Sequence, residues 1–365
     1  MIKDKTIAVV IPAYNEETQI VGVINSVPSF IDRIIVVNDA SRDKTSEIVG
    51  RLIDSDKNDY SSDVIGVKEI VPTRYNSVDI ALREAIKSEQ EFYVTHKVYN
   101  PSPDRSRIIL INNLQNGGVG AAVANGYRWC RDNEIDCIAK IDGDGQMDPS
   151  ELEAICMPVV EGEVDYVKGN RLIYPGASLV IPKVRYIGNS VLSILTKIAS
   201  GYWHISDTQT AFTAISLKAL KTLKLYTLYP KYGYPNDILV KLNINFCTIK
   251  ELPIKPVYEI GEQSKMKILK VIPRISYILV KGFFKRIWQK YMLKSFHPLF
   301  ILYQLGFLLL TVSIPFGIKI LLKVINADPA NPVTVLAFIF LFISGFQALL
   351  FAMWMDIQDN ERLSK

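Results

Sequence analysis

Two aspartates that stand two residues apart could hold a divalent cation. Asp142 and Asp144 lie in the stretch IDGDGQMDP, residues 141–149, directly after the apolar run CIAKI. Carboxylate oxygens are hard ligands, and Mg²⁺ or Mn²⁺ is commonly held by one or two of them while substrate phosphates supply further oxygens. A cation bound in this way stabilises the negative charge that develops on a diphosphate leaving group. The pair therefore predicts a metal site shared with a phosphorylated substrate.

The same stretch could also be a calcium loop, because acids occupy its first and third positions and Glu153 its twelfth. The sixth position of such a loop requires glycine for a sharp turn, and here it is Met147. Pro149 follows at the eighth position, and the residues before the loop are typical of a strand instead of a helix. We therefore exclude the calcium loop and keep the two-aspartate site.

Other acids follow neighbouring strand-like segments. The segment TIAVVIPA leads into PAYNEE, which contains Glu16, and RIIVVND ends in Asp39. The carboxyl ends of parallel strands meet at one edge of a sheet, which is where ligands bind in open α/β proteins. We expect both acids to lie beside Asp142 and Asp144 at this edge. Such a concentration of carboxylates favours a cation or a sugar-like ligand over a plain surface turn.

Segments with strand and helix patterns alternate through the first part of the chain. Continuous apolar runs such as RIILINN and DCIAKID are typical of buried strands, and stretches such as GAAVANGYRWCRD have helical spacing. This alternation predicts an α/β fold with a mainly parallel sheet covered on both faces. Residues 55–106 interrupt it with polar flanks around a predicted helix, SVDIALREAIKSEQ, and a predicted strand, EFYVTHKV. We interpret residues 55–106 as an inserted subdomain.

Two stretches account for the high hydrophobic fraction of the chain, which is 49% of 365 residues. They cover about residues 299–322 and 333–354, and each has roughly the 20 apolar residues that a bilayer crossing needs. Core helices of a soluble protein are the alternative, which the tandem arrangement disfavours. The loop between the stretches is short, so they predict a transmembrane hairpin. The first strand-like segment is too short for a signal peptide, so we expect the bulk of the chain to stay in the cytoplasm.

Positive charge is concentrated immediately before the first apolar stretch. Residues 263–297 contain nine Lys or Arg and no acid, whereas the whole chain has a net charge of +5. A nucleic-acid patch is the alternative, but a basic segment beside a membrane span favours contact with anionic lipid headgroups. The positive-inside bias then puts the catalytic part of the chain in the cytoplasm.

Apolar side chains recur at helical spacing within this basic segment. They are Val280, Phe283, Phe284, Ile287 and Tyr291, while Arg274, Lys281 and Lys285 fall on the opposite face. This pattern is typical of an amphipathic helix that lies in the membrane interface. Docking of the same helix against the first domain is the alternative, and the two are compatible.

Cysteine and histidine do not form a recognisable metal motif. The four cysteines include no close pair and no CxxC, and the three histidines are scattered. Both observations disfavour a zinc site, and the cysteines fit a reducing compartment. The predicted metal chemistry therefore rests on carboxylates.

Six motifs occur in a characteristic order: VVIPAYNEE, IIVVNDASRDKT, NGGVGAAVANG, DGDGQMDP, VKGNRL and DTQTAFTAIS. Together they resemble family 2 glycosyltransferases with the GT-A fold, over about residues 5–270 apart from 55–106. The similarity is strongest to the polyprenyl-phosphate branch, which includes dolichyl-phosphate mannosyltransferase and bacterial polyprenyl-phosphate glucosyltransferases. With the patterns above, the resemblance implies a GT-A domain over residues 1–260 and basic amphipathic helices over 261–297. Two transmembrane helices within 298–356 and a cytoplasmic tail at 357–365 would follow.

The resemblance also implies roles for single residues. Those that resemble nucleotide-binding positions are Pro12, Ala13, Tyr14, Glu16, Asp39 and Asp142. Those that resemble the metal site of a D-x-D-x-Q motif are Asp142, Asp144 and Gln146. Those that resemble contacts to the acceptor phosphate are Arg171, Arg185, Asn189, Ser264 and Lys265. The implied catalytic residues are Asp144, Arg171 and Asp237.

Two departures from the family pattern affect the phosphate contacts. An arginine that commonly precedes the Gly–Glu pair is absent from VYEIGE, and Thr213 stands where a Phe-Arg pair often has its arginine. Arg171 could instead pair with a carboxylate, and Asp207 could brace the DTQTAF turn. Asp237 lies where related enzymes place a catalytic acid residue, but a phosphate monoester is largely dianionic at pH 7 and needs no base. Positioning of substrate is therefore the alternative role for Asp237.

These observations predict a metal-dependent, inverting glycosyltransferase with Mg²⁺ or Mn²⁺ as cofactor. It would move one sugar from a UDP-sugar or GDP-mannose to a dolichyl or undecaprenyl phosphate at the cytoplasmic face of a membrane. The alternatives are a processive polysaccharide synthase, transfer to another glycolipid, and a membrane scaffold that only binds nucleotide sugar. No nucleic acid is expected as a partner, and a homo-oligomer is plausible because two spans alone cannot enclose a polar path. The sequence does not fix the sugar, which depends on a few pocket contacts.

Overall fold

The structure is a computed structural model of the 365-residue chain. It describes residues 2–56, 58, 60, 71–181, 183–257 and 268–365, and within these it leaves aside the side chains of residues 178, 183–187, 189 and 268–272. The predicted acceptor residues Ser264 and Lys265 therefore lie outside the described residues. The side chains of Arg185 and Asn189 lie outside them as well.

Eight strands of the described residues form one sheet, which is the core of the predicted α/β fold. The strands are β1 (Ile7–Ala13), β2 (Arg33–Asn38), β3 (His96–Val98), β4 (Ile108–Asn113), β5 (Cys137–Lys140), β6 (Tyr166–Asn170), β7 (Thr213–Ser216) and β8 (Ile249–Pro253). Their order across the sheet is β3-β4-β2-β1-β5-β7-β6-β8. All residues of β1, β2, β5 and β6 are buried, and in β1, β2 and β5 this burial explains the nearly continuous apolar runs of the sequence.

Parallel and antiparallel pairs both occur in the sheet. The strands β4, β2, β1 and β5 are parallel to one another, and β6 is parallel to β8. The strand β7 lies antiparallel between β5 and β6, and β3 is antiparallel to β4. The sequence patterns predicted β1, β2, β4 and β5, whereas β7, which has the sequence TAIS, was not predicted as a strand.

Helices cover both faces of the sheet and continue beyond it. They are α1 (Ile20–Ser26), α2 (Thr45–Ser55), α3 (Ser77–Ser88), α4 (Val119–Asp132), α5 (Leu152–Val160), α6 (Ala177–Val180), α7 (Lys183–Ser200), α8 (Leu217–Thr222), α9 (Tyr234–Ile244), α10 (Ile268–Trp288), α11 (Pro298–Ile325) and α12 (Pro332–Glu361). Successive residues of a strand point to opposite faces. Thus Ala8 and Val10 of β1 join the core under α4, α8 and α9, whereas Ile7 and Val9 join the core under α1 and α5.

Small residues allow α4 to lie very close to its neighbours. A Cβ on Gly126 would stand 2.5 Å from a methyl group of Val10 in β1. A Cβ on Gly120 would stand 2.0 Å from the carbonyl oxygen of Tyr229. The glycines of NGGVGAAVANG therefore serve close packing of α4 against the sheet and against the loop that leads into α9.

Part of the stretch interpreted as an insertion belongs to the central sheet. Its predicted helix is α3, on which every residue is at least partly exposed. Its predicted strand is reduced to the three residues of β3, which pair with β4 at the edge of the sheet. The boundary of an inserted subdomain at 55–106 stays a prediction.

The two apolar stretches form the helices α11 and α12, which pack against each other. They have 28 and 30 residues with mean hydropathies of 2.1 and 2.4 in their most apolar windows, of which only 11% and 17% are buried. Both are long and apolar enough to cross a membrane. Helices in the core of a soluble protein would bury these surfaces, so the exposure favours membrane association.

The helix α12 extends beyond the predicted span and ends against the catalytic part of the chain. Residues 357–361, predicted as part of a tail, are helical. The backbone N–H of Ile249 in β8 donates to the carbonyl of Leu363 at 2.8 Å, and the N–H of Lys365 donates to the carbonyl of Ile249 at 3.0 Å. The segment after α12 therefore pairs with Ile249, the first residue of β8, at the outer edge of the sheet.

The amphipathic helix α10 docks and also exposes apolar surface. Phe283 and Ile287 are buried together with Tyr291, in a cluster that includes residues of α7, α9, α11 and α12. Val280 and Phe284 are exposed by 56% and 48%. One side of α10 is therefore docked against the neighbouring helices, as the alternative prediction stated. The side that carries Val280 and Phe284 is exposed and can contact a membrane.

The prediction that the whole basic segment faces lipid headgroups was wrong for part of it. Arg286 and Lys290 are fully buried and bind polar groups near the end of α12. Lys294 donates to the carbonyl of Ile244 and to the side chain of Asn245, at 3.1 and 2.6 Å. The reason is that acceptors for these cations lie far away in sequence, where a local charge pattern does not reveal them.

Candidate active site

The carboxyl ends of β1, β2 and β5 bring the predicted site segments together. The strand β1 is the parallel neighbour of both β2 and β5. The backbone N–H of Asp39 donates to the carbonyl of Ala13 at 2.9 Å, which joins the ends of β2 and β1. A Cβ on Gly143 would lie 3.2 Å from the carbonyl oxygen of Pro12, so the D-x-D loop is in contact with the end of β1. The three segments therefore converge at one edge of the sheet.

The D-x-D loop presents oxygen atoms to solvent. The side chain of Asp142 is 30% exposed, and Asp144 and Gln146 are also partly exposed. An oxygen of Asp144 accepts a hydrogen bond from the backbone N–H of Gln146 at 3.1 Å, which tightens the turn. Asp148 accepts from the N–H of Ser150 at 2.9 Å and so caps the next helical turn. This hydrogen bond, with help from Lys255, lowers the pKa of Asp148.

A buried lysine that the sequence analysis missed lies beneath this loop. The side chain of Lys140 is fully buried at the end of β5, and its ammonium group forms an ion pair with Asp142. The same ammonium lies 5.7 Å from the ring centre of Tyr234, the first residue of α9. A charged residue inside the apolar run CIAKI is the signal that could have revealed it, because an unpaired ammonium is rarely buried.

A second buried lysine stands two strands away. Lys140 in β5 and Lys168 in β6 are both register partners of Thr213 in β7, so the three side chains lie in a row on one face. The ammonium of Lys168 binds the carbonyl of Thr210. Burial lowers the pKa of Lys168 to about 8. Two cations therefore flank the position where Thr213 replaces the arginine expected from the family pattern.

Arg171 is held by Asp207 at the end of β6. Its Nε donates to one carboxylate oxygen at 2.8 Å and its Nη2 to the other at 3.1 Å. Burial would raise the pKa of Asp207, but the attraction of Arg171 outweighs it and the pKa lies below its usual value. Asp207 also accepts from the N–H groups of Gln209 and Thr210, at 3.3 and 3.2 Å. Both structural alternatives, an ion pair for Arg171 and a bracing role for Asp207, are therefore realised.

The buried carboxylate of Asp39 stabilises the loop next to the site. It is only 3% exposed, and its two oxygens accept from the N–H groups of Gly117 and Gly118, at 2.9 and 2.7 Å. The side-chain amide of Asn113 donates to it as well, at 2.8 Å. These bonds fix the turn before α4 against the end of β2. A direct contact of Asp39 with a nucleotide stays a prediction.

Asp237 is also engaged within the protein. It lies in the first turn of α9, where one of its oxygens accepts from the N–H of Tyr229 at 2.9 Å and pairs with the ammonium of Lys241. Lys241 donates in turn to the carbonyl of Thr227 at 2.8 Å. The carboxylate thus fixes residues 227–229, next to the chain that packs on Gly120.

The sequence of the catalytic part matches a known protein family. The family model "Glycosyl transferase family 2" matches residues 8–65 and 91–224, which is more than half of the chain. The chain belongs to glycosyltransferase family 2. The predicted family and the predicted enzyme class, a glycosyltransferase, are thereby confirmed.

Two relatives of this family 2 glycosyltransferase are named for dolichyl phosphate. A UDP-N-acetylglucosamine–dolichyl-phosphate N-acetylglucosaminyltransferase of Methanococcus voltae is 28% identical over 256 residues, which are 70% of this chain and 87% of that protein. A dolichyl-phosphate beta-glucosyltransferase of Trichomonas vaginalis is 26% identical over 277 residues, which are 71% and 65% of the two chains. Both match the predicted polyprenyl-phosphate branch.

A solved structure with a similar fold comes from Mycobacterium tuberculosis. It is glucosyl-3-phosphoglycerate synthase in complex with Mn²⁺, uridine diphosphate and phosphoglyceric acid. It covers 78% of each chain with a TM-score of 0.47 and 17% identity.

The donor set of the glycosyltransferase fits an oxygen-preferring divalent cation. Within the described residues, no three side chains of His, Cys, Asp or Glu lie close enough to form a metal site by themselves. The candidate ligands are those that the D-x-D-x-Q motif implies, two carboxylates and one amide, and further oxygens would have to come from a substrate or water. This is the arrangement that Mg²⁺ favours when it is shared with phosphate groups.

Proposed function

We propose that this family 2 glycosyltransferase transfers one sugar, with inversion, from a nucleotide diphospho-sugar to a polyprenyl phosphate at the cytoplasmic face of a membrane. The observation that carries the proposal is the contact of the D-x-D loop with the end of β1, in a chain that ends in an apolar helical hairpin. The relatives named for dolichyl phosphate support this class of acceptor. The donor named for one of them, UDP-N-acetylglucosamine, is the first to test.

The nucleotide would lie across the ends of β1 and β2. Pro12 and Ala13 are buried and form the floor of this edge, whereas Tyr14 is 36% exposed and offers its ring to a base. The backbone N–H of Glu16 donates to the hydroxyl of Thr45 at 2.9 Å, which fixes the loop after β1 against α2. Asp39 keeps the neighbouring turn in place and so shapes the base and ribose pocket.

The metal ligands in this proposal are Asp142, Asp144 and Gln146. Bound there, Mg²⁺ or Mn²⁺ would stabilise the negative charge of the departing nucleoside diphosphate as a Lewis acid. Lys140 fixes the orientation of Asp142 by its ion pair from beneath the loop. We place Asp142 on the nucleotide side and assign most of the metal binding to Asp144.

The acceptor supplies its own nucleophile. A phosphate monoester has a second pKa of about 6 and is largely dianionic at pH 7. One of its oxygens can form the bond to C1 of the sugar while the bond from C1 to the donor diphosphate breaks, and this single displacement inverts the anomeric centre. A general base is not needed, so Asp237 acts by holding residues 227–229. Arg171, oriented by Asp207, attracts the acceptor phosphate.

Exposed apolar side chains support a membrane-facing acceptor side. They are Val191 and Ile194 on α7 and Tyr277, Val280, Phe284 and Trp288 on α10. The helices α7 and α10 pack against each other. Arg274, Lys281 and Lys285 are exposed on α10 and would face anionic headgroups. These features favour a cytoplasmic catalytic domain under the positive-inside bias.

The proposal is tested with purified protein in vesicles that contain a polyprenyl phosphate. Labelled UDP-N-acetylglucosamine, UDP-glucose and GDP-mannose are offered in turn with Mn²⁺ or Mg²⁺, and the organic phase is counted. We expect lipid-soluble label from one donor, none when the acceptor is the corresponding polyprenol, and none with Asp144→Ala. Label that appears equally with the polyprenol would contradict a phosphate acceptor.

A matched control keeps the metal experiment specific. Asp148→Asn removes a carboxylate from the same loop but keeps the oxygen that caps Ser150. We expect this variant to retain activity within about twofold, since capping by Asn and Asp is equivalent.

For Asp237→Asn, we expect the acid side of the pH profile to remain near pH 6, because it belongs to the acceptor phosphate. Loss of that limb in the variant would restore Asp237 as a base.

A further inference from the structure

A buried polar cluster joins the end of α12 to the catalytic domain. We call it the anchor cluster, and its members are Arg286, Lys290, Tyr291, Asp356 and Asn360, each at most 1% exposed. The first three belong to α10 and the helical turn that follows it, and the last two belong to the final turns of α12. The cluster therefore lies just beyond the apolar part of the membrane hairpin.

Asp356 is the centre of the cluster on the hairpin side. Arg286 donates to its two oxygens at 2.7 and 2.8 Å, in a two-pronged ion pair. The hydroxyl of Tyr291 donates to the same carboxylate at 2.8 Å. Asn360, one turn later, accepts from Lys290 at 2.6 Å. Planar, multiply bonded pairs of this kind define a single relative orientation of their helices.

The same cations reach into the catalytic domain. Arg286 donates to the carbonyl oxygens of Ile198 and Ala199 at the end of α7, at 3.0 and 2.9 Å. Lys290 donates to the side chain of Asn243 in α9 at 3.0 Å. The amide of Asn243 donates to Asn360 at 2.7 Å. The cluster thus binds α12 to the helices α7 and α9 at once.

The backbone conformation and the missing side chain of Gly201 leave room for the anchor cluster. Gly201 has φ of +78°, which favours glycine, and a Cβ there would lie 2.7 Å from Nη1 of Arg286. The same Cβ would lie 3.1 Å from the side-chain nitrogen of Asn360. The turn after α7 therefore leaves room for the guanidinium and for α12.

Helix α7 continues from the cluster to the active site. The hydroxyls of Ser193 and Thr208 lie 3.2 Å apart, and Thr196 donates to Asn236 at 2.9 Å. Thr208 is the neighbour of Asp207, which orients Arg171. The backbone of α7 also includes residues 185 and 189, which were predicted to bind the acceptor phosphate. Because α7 connects the anchor cluster with the residues predicted to bind the acceptor phosphate, fixing the position of α12 also fixes the position of those residues.

We propose that the anchor cluster locks the catalytic domain at one height and orientation on the membrane hairpin, so that its members are positioning residues for the lipid-bound acceptor. The inference rests on the proposed function. A buried ion pair adds little net stability compared with apolar residues of similar volume. The pair instead determines the relative orientation of the helices, since its hydrogen bonds are satisfied in one arrangement of α7, α10 and α12. The acceptor phosphate is held at the bilayer surface, so the distance between this phosphate and the active site depends on that arrangement of helices.

The test compares two double variants in vesicles. Arg286→Met with Asp356→Leu replaces the buried pair by apolar side chains and avoids an unpaired buried charge. Lys323→Met with Asp328→Leu is the control, because this 2.9 Å pair is exposed at the far end of the hairpin. Each protein is assayed with a long-chain polyprenyl phosphate in vesicles and with a short-chain one dissolved in detergent.

We expect the cluster variant to raise KM for the long-chain acceptor about tenfold, because a shift of about 1 Å in a reacting group has effects of this size or larger. Its kcat, its KM for the nucleotide sugar and its activity on the short-chain acceptor should stay within about twofold. The control variant should match the unmodified protein in all four quantities. Equal long-chain KM values in the two double variants would overturn the inference.

A second measurement does not depend on activity. Spin labels at Glu47→Cys in α2 and Val333→Cys in α12 report the distance between the catalytic domain and the far end of the hairpin, since both positions are exposed and the four native cysteines are buried. We expect a single narrow distribution that broadens only in the cluster variant. A distribution of equal width in both variants contradicts the lock. Absence of any lipid product from the unmodified protein would contradict the proposed function, while this measurement would still decide on the lock.

Discussion

The carboxyl edge of the sheet and the anchor cluster use similar side chains in different ways. At the edge, Asp142 pairs with one buried lysine and leaves 30% of its side chain exposed. In the anchor cluster, Asp356 is fully buried and accepts three hydrogen bonds from Arg286 and Tyr291. A carboxylate that must receive a ligand needs access to solvent, whereas one that joins helices is sealed by donors. Exposure and donor number, more than residue type, separate the two tasks.

The largest effect that we expect from this comparison concerns stability. Asp356→Ala would leave Arg286 buried without its carboxylate and should lower the free energy of unfolding by about 3–5 kcal/mol. Asp144→Ala should change it by less than about 1 kcal/mol while abolishing transfer, because substitutions at partly exposed positions have small effects on stability. Thermal unfolding in detergent and the transfer assay measure the two properties side by side. Similar losses of stability in both variants would break the comparison.

A smaller effect is expected at the base of the D-x-D loop. The ammonium of Lys140 repels a divalent cation at Asp142, so Lys140→Met should lower the metal concentration for half-maximal activity, roughly tenfold or about 1.4 kcal/mol. The measurement is a titration of transfer activity with Mn²⁺. Lys168→Met is the matched control, because that buried lysine binds the carbonyl of Thr210 and should change the midpoint less. A higher midpoint in Lys140→Met would show that the lysine orders the site more than it competes with the metal.

The remaining effect concerns pH. Burial lowers the pKa of Lys168 to about 8 in the folded protein, whereas an unfolded lysine has a pKa of about 10.4. Below pH 8 both states are protonated, and the cost of burying the charge is fully present. Between these values the unfolded chain binds more protons, so this residue makes stability rise with pH by at most about 1.4 kcal/mol per unit.

The melting temperature of the unmodified protein relative to Lys168→Met should therefore increase from pH 8 to pH 10. The exposed Lys218→Met serves as the control and should follow the unmodified protein, because its side chain is 84% exposed. Parallel pH curves for Lys168→Met and the unmodified protein would contradict a depressed pKa at this lysine.

Much of the carboxyl edge could be predicted from the sequence, because it depends on local patterns. Buried parallel strands appear as apolar runs, and their ends mark the edge at which the segments of Asp39, Asp142 and Asp144 converge. The partners of these acids were not predictable in the same way. Lys140 stands out as a charge in an apolar strand, but its ion pair and its approach to Tyr234 depend on how α9 packs.

The anchor cluster shows where local patterns fail. The nine basic residues before the hairpin were interpreted as one lipid-facing group, yet Arg286 and Lys290 are buried. Their partners Asp356 and Asn360 each lie 70 residues further along the chain. Periodicity and charge density describe neighbours within one helix, whereas pairs across such a distance are decided by how whole helices pack.

The pairing of Ile249 with residues 363–365 has a consequence for the order of events during synthesis. A ribosome makes β8 more than one hundred residues before the segment that pairs with Ile249 at its outer edge, and both apolar helices are made in between. Until then β8 presents unpaired backbone groups, which other chains can use for aggregation. In the proposed membrane arrangement, insertion of the hairpin therefore precedes the pairing of Ile249, and a delay in insertion prolongs the exposure of that strand.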